Sequence, residues 1–477
     1  MEYAFLLSIL NQSTGICTDS RIIGEKEIFV ALKGIAFDGN QFIENIISIA
    51  AFIVTDEVDV IKKFDYHPKI ILVDDSKAAL NYLLSNFYTK LPKYLIAVTG
   101  TNGKTSVVNY IRQICYYCSK SSASIGTLGI QKDNDVNLDN FGLTTMDAVN
   151  LYKTLSNLAQ NNHEFVALEA SSHGIDQERL GLLKFDVGIF TSFSQDHLDY
   201  HKNLEHYFAS KFKLFSNHLK PESLAIISKQ VSDITNIEQE LSENKISYLN
   251  VGKDCHFSTK ITKIGQEVSL EYKNKIYKFN TSIVGHFQLC NLVQAVLAAT
   301  YCGINLDEIV KILSKVKAPK GRLEKITDDD AVLDVFIDYA HTPDALELTL
   351  KTLRAIVSEK AKLIVIFGCG GDRDKSKRPI MGQIAQLCAD IVIITDDNPR
   401  SEDARQIRQQ IISAAPNAIE IENRKLAIEY VINTAKENDV IVIAGKGHEN
   451  YQIIGNKKYD FSDEEEVLKC LAVKNLK

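Results

Sequence analysis

The stretch from Tyr94 to Lys120 constrains the fold more than any other. An apolar run, Tyr94–Thr99, breaks into Gly100-Thr101-Asn102-Gly103-Lys104-Thr105 and continues as a helical pattern over 106–120. The spacing predicts a buried strand that ends in a glycine turn at a helix start. Backbone N–H groups in such a turn surround a polyphosphate, and the helix dipole favours its negative charge. Lys104 is then expected to reach the outer phosphates, and the Thr105 hydroxyl to meet Mg²⁺. The longer G-x-x-x-x-G-K-[ST] pattern needs glycine at 98, where this chain has Val98, so the match is to the shorter T-G-T-N-G-K-T form. An ordinary glycine-rich strand-to-helix turn is the bland alternative, and the joint presence of strand, loop, Lys-Thr and helix argues against it.

At about 150 residues per domain, 477 residues predict three domains. Residues 1–90 alternate short β-like runs (28–32, 51–55, 70–73) with polar turns, and Pro92 biases Leu91 away from helix, which sets the first boundary. Residues 91–320 hold the glycine turn, further strand runs at 165–168 and 186–191, and a helix over 205–219. After Ala318-Pro319-Lys320-Gly321-Arg322, residues 321–477 carry apolar strands at 332–337, 362–367, 389–395 and 439–444 separated by helical patterns. Apolar runs alternating with helices predict parallel α/β sheets. The expected architecture is α/β throughout: a small N-terminal domain, a central P-loop ATPase-like domain and a C-terminal Rossmann-like domain.

A formal net charge of −7 argues against a broad nucleic-acid face, which needs basic residues to displace counterions. The nine cysteines are scattered, and Cys115 and Cys118, although in C-x-x-C spacing, sit in an apolar-periodic stretch, so buried thiols in a reducing compartment are expected. Glu2 stands where a signal peptide would carry positive charge, and no run approaches the roughly 20 apolar residues of a membrane span. A cytoplasmic monomer without membrane insertion is the expectation.

Two further features carry chemistry. Glu169 ends a strand expected beside that of the glycine turn, where a carboxylate would hold Mg²⁺, and opens the polar loop Ala170-Ser171-Ser172-His173-Gly174-Ile175-Asp176-Gln177-Glu178-Arg179. Lys211 has Tyr207, Phe208, Leu214 and Phe215 at i−4, i−3, i+3 and i+4, whereas Lys213 has Ala209, Ser210, Ser216 and Asn217. Lys211 is thus the lysine on the apolar face. A stem that snorkels its ammonium to water is the alternative reading.

The T-G-T-N-G-K-T form resembles that of the Mur ligase superfamily of ATP-dependent amide-bond ligases. The resemblance extends along the chain and implies roles for its motifs. Gly100, Thr101, Asn102, Gly103, Lys104, Thr105 and Ser106 would bind ATP. Ala209-Ser210-Lys211-Phe212-Lys213-Leu214-Phe215 would carry a CO₂-derived carbamate on Lys211, whose oxygens join Thr105, Glu169 and His197 around Mg²⁺. His197 belongs to Ser194-Gln195-Asp196-His197-Leu198-Asp199-Tyr200-His201. Lys104, His197 and Lys211 are the implied catalytic residues. Gly285-His286-Phe287-Gln288-Leu289-Cys290-Asn291, opening a helix over 292–299, resembles the adenine-side motif, with Asn291 on the base and Gln288 where the family has Asn. Arg322 is the implied phosphate partner and Asp338 the ribose-side acid.

At the N-terminal end, Thr18-Asp19-Ser20-Arg21 and Gly34-Ile35-Ala36-Phe37-Asp38-Gly39 resemble the UDP-binding domain, with Ser20 on the nucleotide. Thr144, Thr145, Ser171, Gln177 and Arg179 are the implied partners of the rest of that precursor. Met146 replaces the proline of the family's Thr-Thr-Pro-Asp loop and Leu143 a frequent Asn, which predicts a less rigid loop.

Three loops should converge at the carboxyl ends of the C-terminal strands: Gly368-Cys369-Gly370-Gly371-Asp372-Arg373-Asp374, Asp396-Asp397-Asn398-Pro399-Arg400 and Gly445-Lys446-Gly447-His448-Glu449. They resemble the branch of the family that adds meso-diaminopimelate to the D-glutamate carboxylate of UDP-N-acetylmuramoyl-L-Ala-D-Glu. Arg373 and Arg400 would take its second carboxylate, since arginine binds carboxylates bidentately, with Asp397, Asn398 and Pro399 in the same signature. Glu449 and the Gly445 carbonyl would take an ammonium. Rival readings are a lysine-adding ligase, a folylpolyglutamate synthetase-like enzyme, a P-loop nucleotide switch and a non-catalytic UDP-sugar binder.

Overall fold

Strand Tyr94–Thr99 lies inside an 11-stranded sheet, between Phe165–Glu169 and Phe185–Phe190 and parallel to both. Neither neighbour follows it in the chain. The chain runs on from Tyr94–Thr99 toward Ser122–Gly126 on one side and from Phe185–Phe190 toward Leu219–Ser228 on the other, which opens a crevice between their carboxyl ends, the usual ligand position in a parallel sheet. The computed structural model describes residues 2–34, 37–139, 142–197, 200–231, 234–262, 265–328 and 331–474. Ile35 and Ala36 of the N-terminal motif, and Leu198 and Asp199 of the His197 motif, lie outside the described residues.

The parallel part of this sheet is flanked by antiparallel strands that the apolar runs did not announce. Ser122–Gly126, Gly129–Lys132 and Asp135–Asp139 form one wing, and Cys255–Thr262, Gly265–Tyr272 and Lys275–Thr281 the other. The three strands of the second wing carry exposed residues among buried ones, so each reads as a weak strand in a sequence dominated by buried runs, whereas Ser122–Gly126 and most of Gly129–Lys132 are buried. The N-terminal section forms a four-stranded parallel sheet, Gly15–Cys17, Glu27–Val30, Phe52–Thr55 and Ile70–Leu72. Helix Ser76–Phe87, capped by Asp75, buries Leu80, Leu83 and Leu84 in a core shared with Leu95, Tyr152 and Phe190 of the central section.

The last section is a six-stranded sheet in the order Arg322–Lys325, Asp334–Asp338, Val440–Ala444, Leu363–Phe367, Ile391–Ile394, Ile419–Glu420. Only the first strand runs antiparallel. Alternate residues feed apolar layers on both faces, Val365 and Phe367 with Leu346 and Leu350 on one, Ile364 and Ile366 with Ile428 and Val431 on the other. This is the doubly wound arrangement expected.

Three helix boundaries differ from expectation. The helix after the glycine turn spans Lys104–Tyr117, because Gly103, at φ +91°, is its N-cap. The Lys211 helix is Leu204–Asn217, capped by Asn203, and Leu219 instead opens strand Leu219–Ser228. Helix His286–Tyr301 starts at Gly285, so Gln288 and Asn291 lie within its first turns rather than ahead of it. All nine cysteines are free, and six are buried. Among the described residues no helix is long and apolar enough to cross a membrane.

Candidate active site

Two glycines make the phosphate turn possible. Gly100 has φ +142°, and a Cβ on it would lie 2.0 Å from Thr191 Oγ1; Gly103 has φ +91°, and a Cβ would lie 2.6 Å from Asn291 Oδ1. The turn is pinned to the end of the neighbouring strand: the Thr101 N–H donates to Ser192 O (2.8 Å), Thr101 Oγ1 to Ser194 O (3.1 Å) and the Asn102 N–H to Ser192 Oγ (3.0 Å). Lys104 folds over the turn and donates to the carbonyls of Gly100 and Thr101, both at 2.9 Å. Thr105 and Ser106 are buried on the first helical turn.

Lys211 is only 1% exposed. Its Nζ donates to Gly100 O at 2.8 Å and lies 4.4 Å from the centre of the Tyr207 ring. The snorkelling alternative is excluded. Lys213, half exposed, reaches outward to Asp176 at 3.2 Å, as its polar neighbours implied. Burial lowers the Lys211 pKa well below the ordinary lysine value, and Lys104 lowers it further. Burial also lowers that of Lys104, against the pull of Glu169 and Asp196.

Glu169 pairs in register with Val98, beside the turn. It is buried, and accepts from the Thr127 N–H (2.8 Å) and Thr127 Oγ1 (3.3 Å), while Thr127 Oγ1 also meets Thr144 Oγ1 at 3.2 Å. His197, at φ +53°, has its Nε2 3.5 Å from Asp196 and its ring against His173. Thr145, Ser171, Gln177 and Arg179 converge. Thr145 Oγ1 donates to Glu169 O and meets Ser171 Oγ, both at 2.9 Å; Arg179 donates to Thr145 O (2.7 Å) and Gln177 Oε1 (2.6 Å). Met146 is buried in the core and Asp147 caps the next helix. These two anchors tie the loop to the core and to the helix Ala148–Gln160 at the positions where the family has Pro-Asp. Leu143 is exposed at the rim of a cavity of about 690 Å³ that also includes Thr144, Tyr339, Glu449 and Tyr451. Ser20 is half-buried in the turn after Gly15–Cys17, where Asp19 holds Arg21.

Arg322 closes over the turn from the C-terminal side. Its Nη2 donates to Thr105 Oγ1 at 3.2 Å, its guanidinium stacks 4.4 Å from the Tyr339 ring, and its buried Nε has no partner among the described residues. Gln288 ties this arrangement together: its Oε1 accepts from Tyr110 OH (3.1 Å) and Asn291 Nδ2 (3.3 Å), and its Nε2 donates to Arg322 O (2.9 Å). Asn291 and Gly103 line a second cavity of about 350 Å³ with Phe193 and Phe287. Asp338 faces inward and accepts from Leu323 N, Ala340 N and Thr349 Oγ1 at 2.5, 2.9 and 3.2 Å, so a ribose contact would compete with bonds it already makes.

The three C-terminal loops meet at one rim. The Gly371 N–H donates to Asn398 O (2.9 Å), Arg400 Nη1 to Gly371 O (2.8 Å) and Asn398 Nδ2 to Glu449 Oε2 (2.9 Å). A Cβ on Gly445 would lie 2.8 Å from Asp397 Oδ2. Arg400, at φ +51°, is fixed through its backbone by Ile453 and Gly455 of hairpin Tyr451–Ile454 and Lys457–Asp460. Pro399 turns the chain into it, and Arg373 is exposed at the edge, donating to Asp372 O.

Residues 98–299 match the Mur ligase middle domain, and residues 321–447 match the family described as Mur ligase, glutamate ligase domain. The chain is 47% identical over 470 residues to a UDP-N-acetylmuramoyl-L-alanyl-D-glutamate--2,6-diaminopimelate ligase of Rickettsia montanensis, covering 96% of each. The chain belongs to the Mur ligase family. A Zymomonas mobilis Mur ligase of the same description is 38% identical, over 92% of this chain and 90% of that one. A solved structure of a UDP-N-acetylmuramoyl-L-alanyl-D-glutamate--2,6-diaminopimelate ligase superposes with a TM-score of 0.71 at 30% identity, over 97% and 95% of the two chains.

The residues present fit the nucleotide and metal that Mur ligases use. An orphaned buried Arg322 Nε and a turn that no Cβ could enter suit a polyphosphate. Magnesium keeps several waters and takes phosphate oxygens. No cage of three His, Cys, Asp or Glu side chains is required, and none forms among the described residues. Thr105 and Glu169 would supply the hard oxygen donors it prefers. Sequence reasoning missed Thr127, which holds Glu169 from 42 residues away, the Ser192 and Ser194 pins of the turn, and Lys446. For Thr127 only its Thr-Leu-Gly turn gave a signal; Lys446 was in view as part of a motif without a role.

Proposed function

We propose that this Mur ligase joins meso-diaminopimelate to the D-glutamate side-chain carboxylate of UDP-N-acetylmuramoyl-L-Ala-D-Glu, at the expense of ATP. The observation that carries the reading is the 47% identity, over 96% of both chains, to relatives named for that ligation. The carboxylate oxygen attacks the γ-phosphorus, the bond to ADP breaks, and an acyl phosphate forms. The amine then attacks the acyl carbon, loses a proton, and phosphate leaves with the C–O electron pair. Catalysis is mainly positioning and charge neutralisation. In this reading Lys104 and Arg322 meet the phosphates and Asn291 the base, while Asp338 takes the ribose in exchange for part of the bonding it makes within the C-terminal section. Mg²⁺, held by Thr105, Glu169, His197 and a carbamate on Lys211, supplies further neutralisation when bound.

Ser20, Thr144, Thr145, Ser171, Gln177 and Arg179 hold the UDP precursor, while Arg373, Asp397, Asn398, Pro399, Arg400, Gly445 and Glu449 hold diaminopimelate. The labour divides as UDP end (1–90), ATP centre (91–320) and amino-acid end (321–477), in a cytoplasmic monomer. Mass spectrometry of the product with each amino acid tests the reading. Gain of one diaminopimelate residue is expected. Gain of lysine instead, or no product with nucleotide still bound, would favour the lysine-adding or nucleotide-switch alternative.

A further inference from the structure

Lys446 follows Gly445 at the end of strand Val440–Ala444, and its side chain is 0% exposed. Its Nζ lies 3.1 Å from Glu449 Oε2 and 3.3 Å from Asn398 Oδ1, with the Tyr451 ring centre 5.5 Å away. A buried ammonium is costly unless paired. Glu449, the acid expected to greet a ligand ammonium, is therefore already neutralised before any ligand arrives.

The bonding fixes this arrangement. The Ile453 N–H donates to Asn398 Oδ1 at 2.9 Å, which sets the amide orientation and turns Nδ2 toward Glu449. Glu449 Oε2 thus accepts two protein bonds. The rim loops carry Lys446, Arg373 and Arg400 against Asp372, Asp374, Asp397 and Glu449, and of the three cations only Lys446 is fully buried. The positive charge that bears on a group docking at Glu449 is therefore local, the Lys446 ammonium that already takes this carboxylate. The exposed Asp372 and Asp374 accept from Ser401 and Ser376, and the other nearby acids have their own cations: Asp396 has Arg408, Glu402 has Arg378, and Asp463 has Arg424.

We propose that Lys446 is a specificity-determining residue, a fixed cation that makes this rim accept an amino acid whose far end carries ammonium and carboxylate together and reject one whose far end is an ammonium alone. The proposal rests on the reading of the rim as the amino-acid site. A zwitterionic end brings its own carboxylate to offset Lys446, whereas the terminal ammonium of lysine adds a like charge beside a buried one. Arginines attract the carboxylate; Lys446 supplies the repulsion that excludes the competitor.

The test compares kcat/KM for meso-diaminopimelate and L-lysine in the wild type, Lys446→Met and Lys446→Arg. Methionine keeps the length and removes the charge. We expect the lysine-to-diaminopimelate ratio to rise at least tenfold in Lys446→Met and to stay within threefold of wild type in Lys446→Arg. An equal fall for both amino acids in Lys446→Met would mean a supporting role only and overturns the proposal. On the wild type alone, L-α-aminopimelate, whose far end is a carboxylate, should inhibit at least tenfold more strongly than L-lysine. Lysine as the better inhibitor also overturns it. A wild type that makes no product with meso-diaminopimelate sinks the functional reading itself; one that prefers it while Lys446→Met keeps that preference sinks this inference alone.

Discussion

Lys104 and Lys211 donate to the same atom, the carbonyl oxygen of Gly100, at 2.9 and 2.8 Å. Two ammonium groups on one peptide oxygen form a site short of negative charge. Polyphosphate would supply that charge on the Lys104 side, and a carbamate would convert Lys211 itself from cation to anion. The lowered pKa of Lys211, caused first by burial, favours the neutral amine that such a modification needs.

Replacing Lys211 by alanine should therefore cost activity more than stability. A loss of about 10²-fold or more in kcat is expected, the scale of one electrostatic group at a reacting centre. Bicarbonate should not restore it, whereas a short carboxylic acid in solution should restore part. Steady-state rates with and without added acid check this, and full activity in the alanine variant would rule out the role.

Gly100→Ala should abolish measurable ligation. The new Cβ would meet Thr191 Oγ1 at 2.0 Å from a backbone at φ +142°, so the turn must shift and its N–H groups lose their aim. ATP binding by calorimetry should weaken at least tenfold, while circular dichroism still reports an α/β fold.

Gln288→Asn restores the family residue but shortens a side chain that reaches Tyr110, Asn291 and Arg322 O at once. Leaving buried groups unpaired costs about 1–3 kcal/mol. The KM for ATP should rise several-fold, with thermal unfolding shifted down, and Tyr110→Phe should add little to Gln288→Asn because the two share one bond.

Much of this site was legible in the sequence because its signals are local. A glycine turn between strand and helix announces itself within twelve residues, and the i±3 and i±4 neighbours of Lys211 separated it from Lys213. What stayed hidden depends on distant segments. Nothing near Glu169 points to Thr127, and nothing near Lys446 shows that Asn398, 48 residues earlier, would share it. The antiparallel strands between 255 and 281 were missed for a different reason: exposed residues along them give a fainter pattern than the buried runs elsewhere. The start of the helix at Lys104 required knowing that Gly103 turns left-handed.

Glu402 links pH to the stability of the rim. Arg378, fully buried, holds its carboxyl down to about 2, with the Asp372 N–H and Lys375 assisting. A carboxyl depressed on folding stabilises the native state above its unfolded pKa, and that contribution is lost as pH falls toward the folded value. Glu402→Gln should lower stability at pH 7 by about 3 kcal/mol, since losing one partner strands a buried charge. The gap between wild type and variant should narrow as pH drops from about 5 toward 2, which thermal melts across that range would measure.

The most direct test of the account is phosphate release from ATP with UDP-N-acetylmuramoyl-L-Ala-D-Glu present and the amino acid varied. Sustained release that requires meso-diaminopimelate, with lysine at least tenfold poorer in kcat/KM, is the predicted result. Release at the same rate with no amino acid, or equally with lysine, would contradict it.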